Sequence, residues 1–539
     1  MSDADVDALV AAHLAAYAGP LRLTDVLCGD HPVDAAAVVA EDEHGARTLT
    51  YGELGDRAAR LATVLLEAGV RPGDRVAVML PRSIDLVVAV VAVWQIGAVH
   101  VPLFTAFGPD AVAHRVRHCG ARVIVVDPRH RDAVGAAAPV LCLGGPGRPG
   151  DVDAARGAAG AGTVPPLEVG FADPFVLLYT SGTTGKPKGV PVPVGALAAF
   201  RTYMELSVDL QAGDVFWNMS DPGWGYGLWF GVIGTLLLGR RMILRDVPFD
   251  PEDTLAAVVR HGVTNLTGAP TAFRALRAAR PDGAPVAGSA VRAISTAGEP
   301  LNPELVRWSE RSFGTAIHDH YGQSEVGMVA GFHHDTRVAV PVAEASMGTA
   351  LAGFALAVLD ADGAEVDDGV DGELAVDVER SPLYWFTGYY RDPEKTAERF
   401  RHGPRWYLTG DTVHRDGALL RFTSRADDVI TSSGYRIGPF DVESALLAHA
   451  AVSEVAVVGV PDALRGEAVA AFVVTREGVA ADDALARELR EVVRTRLSKH
   501  LYPRHVTFVR TLPRTPSGKV RRGELRERWT TEAGTCDSR

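Results

Sequence analysis

The sequence predicts an α/β fold: a large N-terminal domain of wound parallel sheets with a small β subdomain, then a small C-terminal α+β domain. Three observations lead there. With 539 residues, the chain is longer than one hydrophobic core normally grows, so two or more domains are expected. Through its N-terminal part, short Val/Ile/Leu runs alternate with helical stretches, the pattern of parallel strands covered by helices. After about residue 347, short alternating segments are broken by Asp/Gly turns such as Asp360-Ala361-Asp362-Gly363, which reads as antiparallel β.

Taken in order, residues 6–17 form a helix. Thr50 followed by Glu53 is a capping-box pattern, so a helix runs from there to Ala68. Strands are expected at 74–80, near 98–103 and at 121–126, with a helix opening at Ile84. Residues 144–166, rich in Gly, Ala and Pro, read as a surface loop. Phe175-Val176-Leu177-Leu178-Tyr179 is a buried strand, 195–203 a helix, and 290–297 a strand ending in a Gly turn, with Pro303 in the first turn of the next helix. Toward the C-terminus the order is helix 440–447, strands 455–460 and 469–474, helix 482–500 and strand 506–510. In the long helix Leu485, Leu489, Val492, Val493 and Leu497 share one face.

Composition narrows the function. A content of 47% hydrophobic and 22% charged residues suits an ordinary globular protein. The net charge of −13 argues against a nucleic-acid binder, so anionic ligands must be held by local basic clusters. Cys28, Cys119, Cys142 and Cys536 show no metal or redox spacing, as in a reduced cytoplasmic protein. The acidic N-terminus lacks a signal-peptide pattern. The apolar run from Leu86 to Trp94 is too short to span a bilayer and reads as a buried helix.

The densest chemistry is Thr180-Ser181-Gly182-Thr183-Thr184-Gly185-Lys186-Pro187-Lys188-Gly189. Glycines let a backbone approach a ligand. Amides and hydroxyls can then bond phosphate oxygens, while Lys186 and Lys188 add charge. The loop is not a Walker motif, because Pro187 follows Lys186 where Ser or Thr would stand. Further motifs follow: Asp221-Pro222-Gly223-Trp224-Gly225-Tyr226-Gly227, Gly298-Glu299-Pro300, Asp319-His320-Tyr321-Gly322-Gln323-Ser324-Glu325, Leu408-Thr409-Gly410-Asp411, Arg425-Ala426-Asp427, Ser433-Gly434-Tyr435-Arg436 and Pro513-Arg514-Thr515-Pro516-Ser517-Gly518-Lys519. His318 and His320 complete no metal-site spacing and read equally as core or surface residues.

In content and order these motifs resemble the acyl-adenylate-forming enzymes: acyl-CoA synthetases, luciferases and peptide-synthetase adenylation domains. The nearest likeness is to acetyl- and medium-chain acyl-CoA synthetases. The resemblance covers nearly the entire chain. It implies an ATP-dependent acid:CoA ligase that passes through acyl-AMP, with ATP, Mg²⁺ and coenzyme A as cofactor and co-substrates. Residues 1–426 would be the AMP-binding domain and 427–539 a mobile C-terminal domain hinged at Asp427. Val192 stands where the family often has His, a departure at a secondary contact.

By the same resemblance, Thr180–Lys188 cradle the leaving phosphates. Gly298, Glu299 and Pro300 read the adenine, Tyr321 stacks on it, and Asp319, Gly322 and Gln323 are further ATP-binding residues. Ser324 meets the α-phosphate, Glu325 holds Mg²⁺, Asp411 clamps the ribose and Arg425 contacts the ribose or α-phosphate. Lys519 is the catalytic lysine. Trp224, Gly225 and Tyr226 line the acyl tunnel, although a packed helix start is the other reading of these aromatics. Ser433, Gly434, Tyr435, Arg436, Arg465, Arg494 and Tyr502 would meet CoA; for the Arg-rich helix face a solvated surface is the alternative. Gly322 stands where the acetate and propionate enzymes carry Trp, so the tunnel is expected to continue past it, towards acids longer than propionate. A protein acetyltransferase acting on Lys519 is a further implied partner. The rival within enzymes is an adenylation enzyme that loads a carrier-protein thiol. Nothing in the sequence sets the oligomeric state.

Overall fold

The computed structural model describes residues 1–539 except 136, 153–163, 181–186, 426–427, 429, 433–434, 463–464, 498–500, 516–518 and 537–539. Two large sheets build its N-terminal part. The first runs in the order Lys188–Pro193, Pro174–Thr180, Val99–Pro102, Arg75–Met79, Val123–Val126, Val140–Cys142. Its neighbours are parallel except Lys188–Pro193, which returns antiparallel on Pro174–Thr180. The second sheet has six parallel strands in its middle: Ile317–Gln323, Ala293–Ala297, Asn265–Gly268, Val215–Asn218, Arg241–Arg245 and Ala36–Asp42. Antiparallel strands close its margins, Gly45–Thr50 on one side and Gly327–Gly331 with Thr349–Ala350 on the other.

One core joins the sheets. The helix Ile84–Gln95 is apolar on every side and, apart from Asp85, buried on every side. It shares a cluster with Val76 and Val78 of the first sheet and Val38 and Leu244 of the second. Each large side chain buried there contributes about 1.5–3 kcal/mol. The helix Tyr51–Glu67 starts as its sequence requires: the Glu53 amide donates to Thr50 Oγ1 at 3.2 Å and the Thr50 amide to Glu53 Oε2 at 2.9 Å.

A separate antiparallel sheet follows, Leu356–Leu359, Gly372–Asp377, Trp406–Asp416 and Leu419–Arg425. The last sheet is built from Ile430–Ser432, Tyr435–Ile437, Val452–Asp462, Gly466–Thr475 and His505–Phe508. The helices Pro439–Leu447 and Asp483–Arg496 bury Val442, Leu446, Leu485, Leu489 and Val493 on it. Leu497 departs from the expected apolar face. The helix ends at Arg496, and Leu497 is left 40% exposed. A final helix, Arg522–Cys536, packs Leu525 against Val458 and Phe472. Its few apolar residues gave no periodic signal. Among the described residues, no helix is long and apolar enough to cross a membrane.

Candidate active site

Thr180 and Lys188 are paired across the hairpin of the first sheet, so the two ends of the Gly/Ser/Thr loop are pinned opposite each other. Ser181, Gly182, Thr183, Thr184, Gly185 and Lys186 lie outside the described residues. The half-buried Lys188 places Nζ 4.5 Å from the centre of the Tyr389 ring and 3.3 Å from its hydroxyl. Burial lowers its ammonium from the ordinary lysine value, and Arg399 acts the same way.

The Asp319–Glu325 motif is largely a strand. Ile317–Gln323 pairs on one side with Ala293–Ala297 and on the other with Gly327–Gly331. The alternation places Tyr321 and Gln323 on one face. Both reach Asp411, which is 4% exposed. The Tyr321 hydroxyl and Gln323 Nε2, the latter at 2.8 Å, donate to Asp411 Oδ2. Gln323 is fixed further: Nε2 donates to the Thr409 carbonyl at 2.8 Å and Oε1 accepts from the Tyr407 hydroxyl at 2.9 Å. The Arg425 backbone pairs with that of Asp411. Residues 90 apart in sequence are thereby locked as one unit.

Glu325 follows in the turn and is 5% exposed. Its Oε1 accepts from the Tyr389 hydroxyl at 2.6 Å, and that hydroxyl accepts from Arg399 Nε at 3.0 Å. Burial holds the Tyr389 phenol above its ordinary value, so it remains a donor. Burial works against the Arg399 charge, but Tyr407, Tyr389 and Glu325 more than offset it. Sequence reasoning missed Tyr389 and Arg399. Thr387-Gly388-Tyr389 marks a turn in the chain, but only the fold brings Tyr389 to a carboxylate 64 positions away.

A third convergence lies at the carboxyl end of Ala293–Ala297, where ligands of wound sheets are usually held. Gly298 has φ +98°, and a Cβ there would stand 2.7 Å from Trp224 Cη2. The Lys519 Nζ lies 5.6 Å from the centre of the same indole. Lys519 is exposed on a loop tied at its ends, with the Thr515 amide donating to the Lys519 carbonyl at 2.7 Å and the Lys519 amide to Thr515 Oγ1 at 3.1 Å. Glu299 is already engaged: Thr271 Oγ1 donates to it at 2.8 Å and Arg274 bonds it as an ion pair.

The acyl-tunnel candidates divide. Trp224 is half-buried beside Lys519, whereas Tyr226 is 2% exposed. The Tyr226 hydroxyl is 3.3 Å from that of Tyr203, which donates to His320 Nδ1 at 2.7 Å. His320 Nε2 then donates to the Phe332 carbonyl at 2.7 Å. Burial drives His320 down to about 3 and His318 to about 4, so both are neutral core residues. Burial also holds the Asp319 carboxyl well above the ordinary range. A Cβ on Gly225 would meet Trp229 at 2.9 Å. The expectation of open space past Gly322 needs correcting. A Cβ there would stand 2.0 Å from the Gly327 carbonyl oxygen, because the paired strand Gly327–Gly331 fills that direction.

The sequence model of AMP-binding enzymes matches residues 26–390, and that of the AMP-binding enzyme C-terminal domain matches 441–519. The chain belongs to the AMP-binding enzyme family. The Bacillus subtilis acetyl-coenzyme A synthetase is 33% identical over 488 residues, covering 88% of this chain and 84% of that one. The crystal structure of a Brucella canis acyl-CoA synthetase is 43% identical, with TM-score 0.76, covering 98% of this chain and 99% of that one. A benzoate CoA ligase from Burkholderia xenovorans is 27% identical, with TM-score 0.83, over 94% of this chain and 100% of that one. This AMP-binding enzyme is an AMP-forming acid:CoA ligase, with ATP, Mg²⁺ and coenzyme A as cofactor and co-substrates.

The donor set of this AMP-binding enzyme fits Mg²⁺. Among the described residues, no three His, Cys, Asp or Glu side chains gather to hold a metal. A single buried carboxylate, Glu325, suits an ion that takes its remaining oxygens from water and substrate phosphates. The CoA candidates have local contacts. Arg465 pairs with Asp462 at 3.5 Å, exposed Arg494 with Glu491, and Tyr502 lies under Arg504 at 5.9 Å. Asp427, Ser433 and Gly434 lie outside the described residues, as do the side chains of Arg425, Tyr435 and Arg436.

Proposed function

We propose that the acid is a short- to medium-chain fatty acid and that one cleft activates it in two half-reactions. The observation carrying the second part is the convergence of Lys519, Trp224 and Gly298, from three distant segments, at one strand end. In the first half-reaction a carboxylate oxygen of the acid attacks the α-phosphorus of ATP. The new O–P bond gives acyl-AMP, and pyrophosphate leaves with the electrons of the broken P–O bond. Lys519, beside Trp224, neutralises charge between acid and α-phosphate. Thr183, Thr184 and Lys188 hold the leaving phosphates, Ser324 the α-phosphate, and Asp411 both ribose hydroxyls. Mg²⁺ supplies charge neutralisation on the phosphates, and Glu325 is the carboxylate offered to it.

In the second half-reaction the CoA sulfur attacks the acyl carbonyl, its proton passes to solvent, and AMP leaves. Rotation of residues 427–539 about Asp427 would remove Lys519 and bring in Gly434, letting one cleft serve two chemistries. The apolar Trp224 wall and the likeness to acyl-CoA synthetases support an alkyl acid. Each further CH₂ of the acid that is buried contributes about 0.8 kcal/mol. The likeness to the benzoate ligase favours a small aryl acid as the second reading. The reading also places the enzyme in the cytoplasm, with Lys519 open to a protein acetyltransferase; acetylation would remove the charge the first step needs.

The test is kcat/KM for acetate, butyrate, hexanoate, octanoate and benzoate, by pyrophosphate release and by free acyl-CoA. Butyrate or hexanoate should lead. A preference for acetate rejects the alkyl reading, benzoate in the lead selects the aryl one, and pyrophosphate without acyl-CoA selects a carrier-protein acceptor.

A further inference from the structure

The Tyr389 hydroxyl has a fully determined set of partners. Lysine and arginine nitrogens only donate, so it accepts from Lys188 Nζ at 3.3 Å and Arg399 Nε at 3.0 Å. Both its lone pairs are then used. Its single proton goes to Glu325 Oε1 at 2.6 Å. Tyr389 is 5% exposed, and its backbone amide donates to Thr396 Oγ1 at 2.9 Å, so the ring has little freedom. Arg399 is anchored in turn, with Nη1 donating to the Thr409 carbonyl at 2.9 Å, two residues before Asp411. One phenol therefore connects the strand leaving the Gly/Ser/Thr loop, the turn carrying Glu325 and the strand carrying Asp411.

We propose that Tyr389 is a positioning residue, resting on the ligase reading above, which orients Glu325 and Lys188 together toward the metal–pyrophosphate end of ATP. It occupies Oε1 of Glu325, which leaves Oε2 as the oxygen for the cation. It also holds Lys188 Nζ on the same hydroxyl, so the cation that meets the leaving phosphates and the carboxylate that meets the metal share one reference point. Arg399 keeps that point fixed. Tyr389 touches neither substrate nor metal. Its effect passes through Glu325 and Lys188.

The test is Tyr389→Phe, which removes one oxygen and keeps the ring. The Mg²⁺ concentration for half-maximal pyrophosphate release should rise about tenfold, the size of one lost hydrogen bond to a charged group, with KM for the acid unchanged. Binding provides a readout free of turnover: electron paramagnetic resonance of Mn²⁺ with ATP and enzyme should show correspondingly weaker uptake of the ion. In a Glu325→Gln background the same substitution should change neither quantity further, because its route to the metal is already cut. Arg399→Met, which leaves the Tyr389 oxygen in place, should show a smaller shift in the same direction, and serves if Tyr389→Phe folds poorly. Unchanged metal dependence in Tyr389→Phe, or losses that simply add in the double variant, overturns the proposal. A wild type that releases no pyrophosphate with any acid overturns the ligase reading instead, and the Mn²⁺ titration still tests Tyr389.

Discussion

Glu325 and Asp411 are 5% and 4% exposed, and each is held by side chains from another segment of the chain. Lys519 is exposed, on a loop whose closing hydrogen bonds are to itself. The two regions solve different problems. A carboxylate that must meet a metal or a ribose gains from being fixed before the ligand arrives. On the proposed mechanism Lys519 serves only the first half-reaction and must then leave, so extensive packing around it would oppose the second. On that reading the buried carboxylates are costly to remove from the fold, and Lys519 is costly to remove only from the chemistry.

Lys519→Ala gives the largest effect. Pyrophosphate release should fall by about 10²–10³-fold, the range for one preorganised charge-stabilising group. Thioester formation from supplied acyl-AMP and the melting temperature should hardly move. Equal loss in both half-reactions would erase the distinction between the regions.

Asp411→Ala is the opposite case. It leaves the Tyr321 hydroxyl and the Gln323 amide short of a buried partner, and each such loss costs about 1–3 kcal/mol. ATP affinity and melting temperature should fall together, the latter by several degrees in a scanning fluorescence or calorimetric measurement. A variant that loses ATP affinity at full stability would show that the Tyr321–Gln323–Asp411 unit is not part of what holds the cleft.

Most of the fold was legible because its signals are local. The Thr50/Glu53 capping box and the Val-rich helix Ile84–Gln95 each declare themselves within one turn or one run of sequence. The strand within the Asp319–Glu325 motif was not legible in the sequence. Its polar residues hide a strand that is paired on both sides. Tyr389 and Arg399 were invisible because a single Tyr in an aromatic-rich segment gives no sign of which distant carboxylate it meets. The space behind Gly322 was misjudged for a related reason: a glycine can mean room for a ligand or room for a neighbouring backbone, and here Gly327 takes it.

Acid stability follows from the buried histidines. Burial lowers His100 and His320 to about 3, and His318 and His333 to about 4. Their unfolded value is near 6.5, so below that pH the unfolded chain binds more protons than the folded one. Their contribution is complete above about 6.5 and is lost as pH falls toward 4, at up to about 1.4 kcal/mol per pH unit for each group. Asp319, raised by burial, works the other way and offsets part of this. The melting temperature should therefore drop clearly between pH 7 and 5, and His320→Gln should flatten that slope. A flat profile over this range would place these rings in a wetter interior than the structure gives them.

The smallest effect concerns the helix Asp483–Arg496 and asks whether the region proposed to rotate has binding surface of its own. Arg494 is exposed and pairs with Glu491 on the same helix. Such pairs are screened by solvent and contribute little to folding, so Arg494→Ala should leave the melting temperature and pyrophosphate release unchanged. If this face meets the nucleotide phosphates of CoA, the guanidinium exchanges its Glu491 contact for a phosphate oxygen, a charge-assisted bond of similar geometry. The expected outcome is a several-fold rise in KM for CoA, confined to the second half-reaction and reduced at high salt. Glu491→Gln sharpens the test, because freeing Arg494 from its local partner should lower KM for CoA. If neither substitution moves that constant, the helix face is simply solvated, and CoA is met by the other candidate residues.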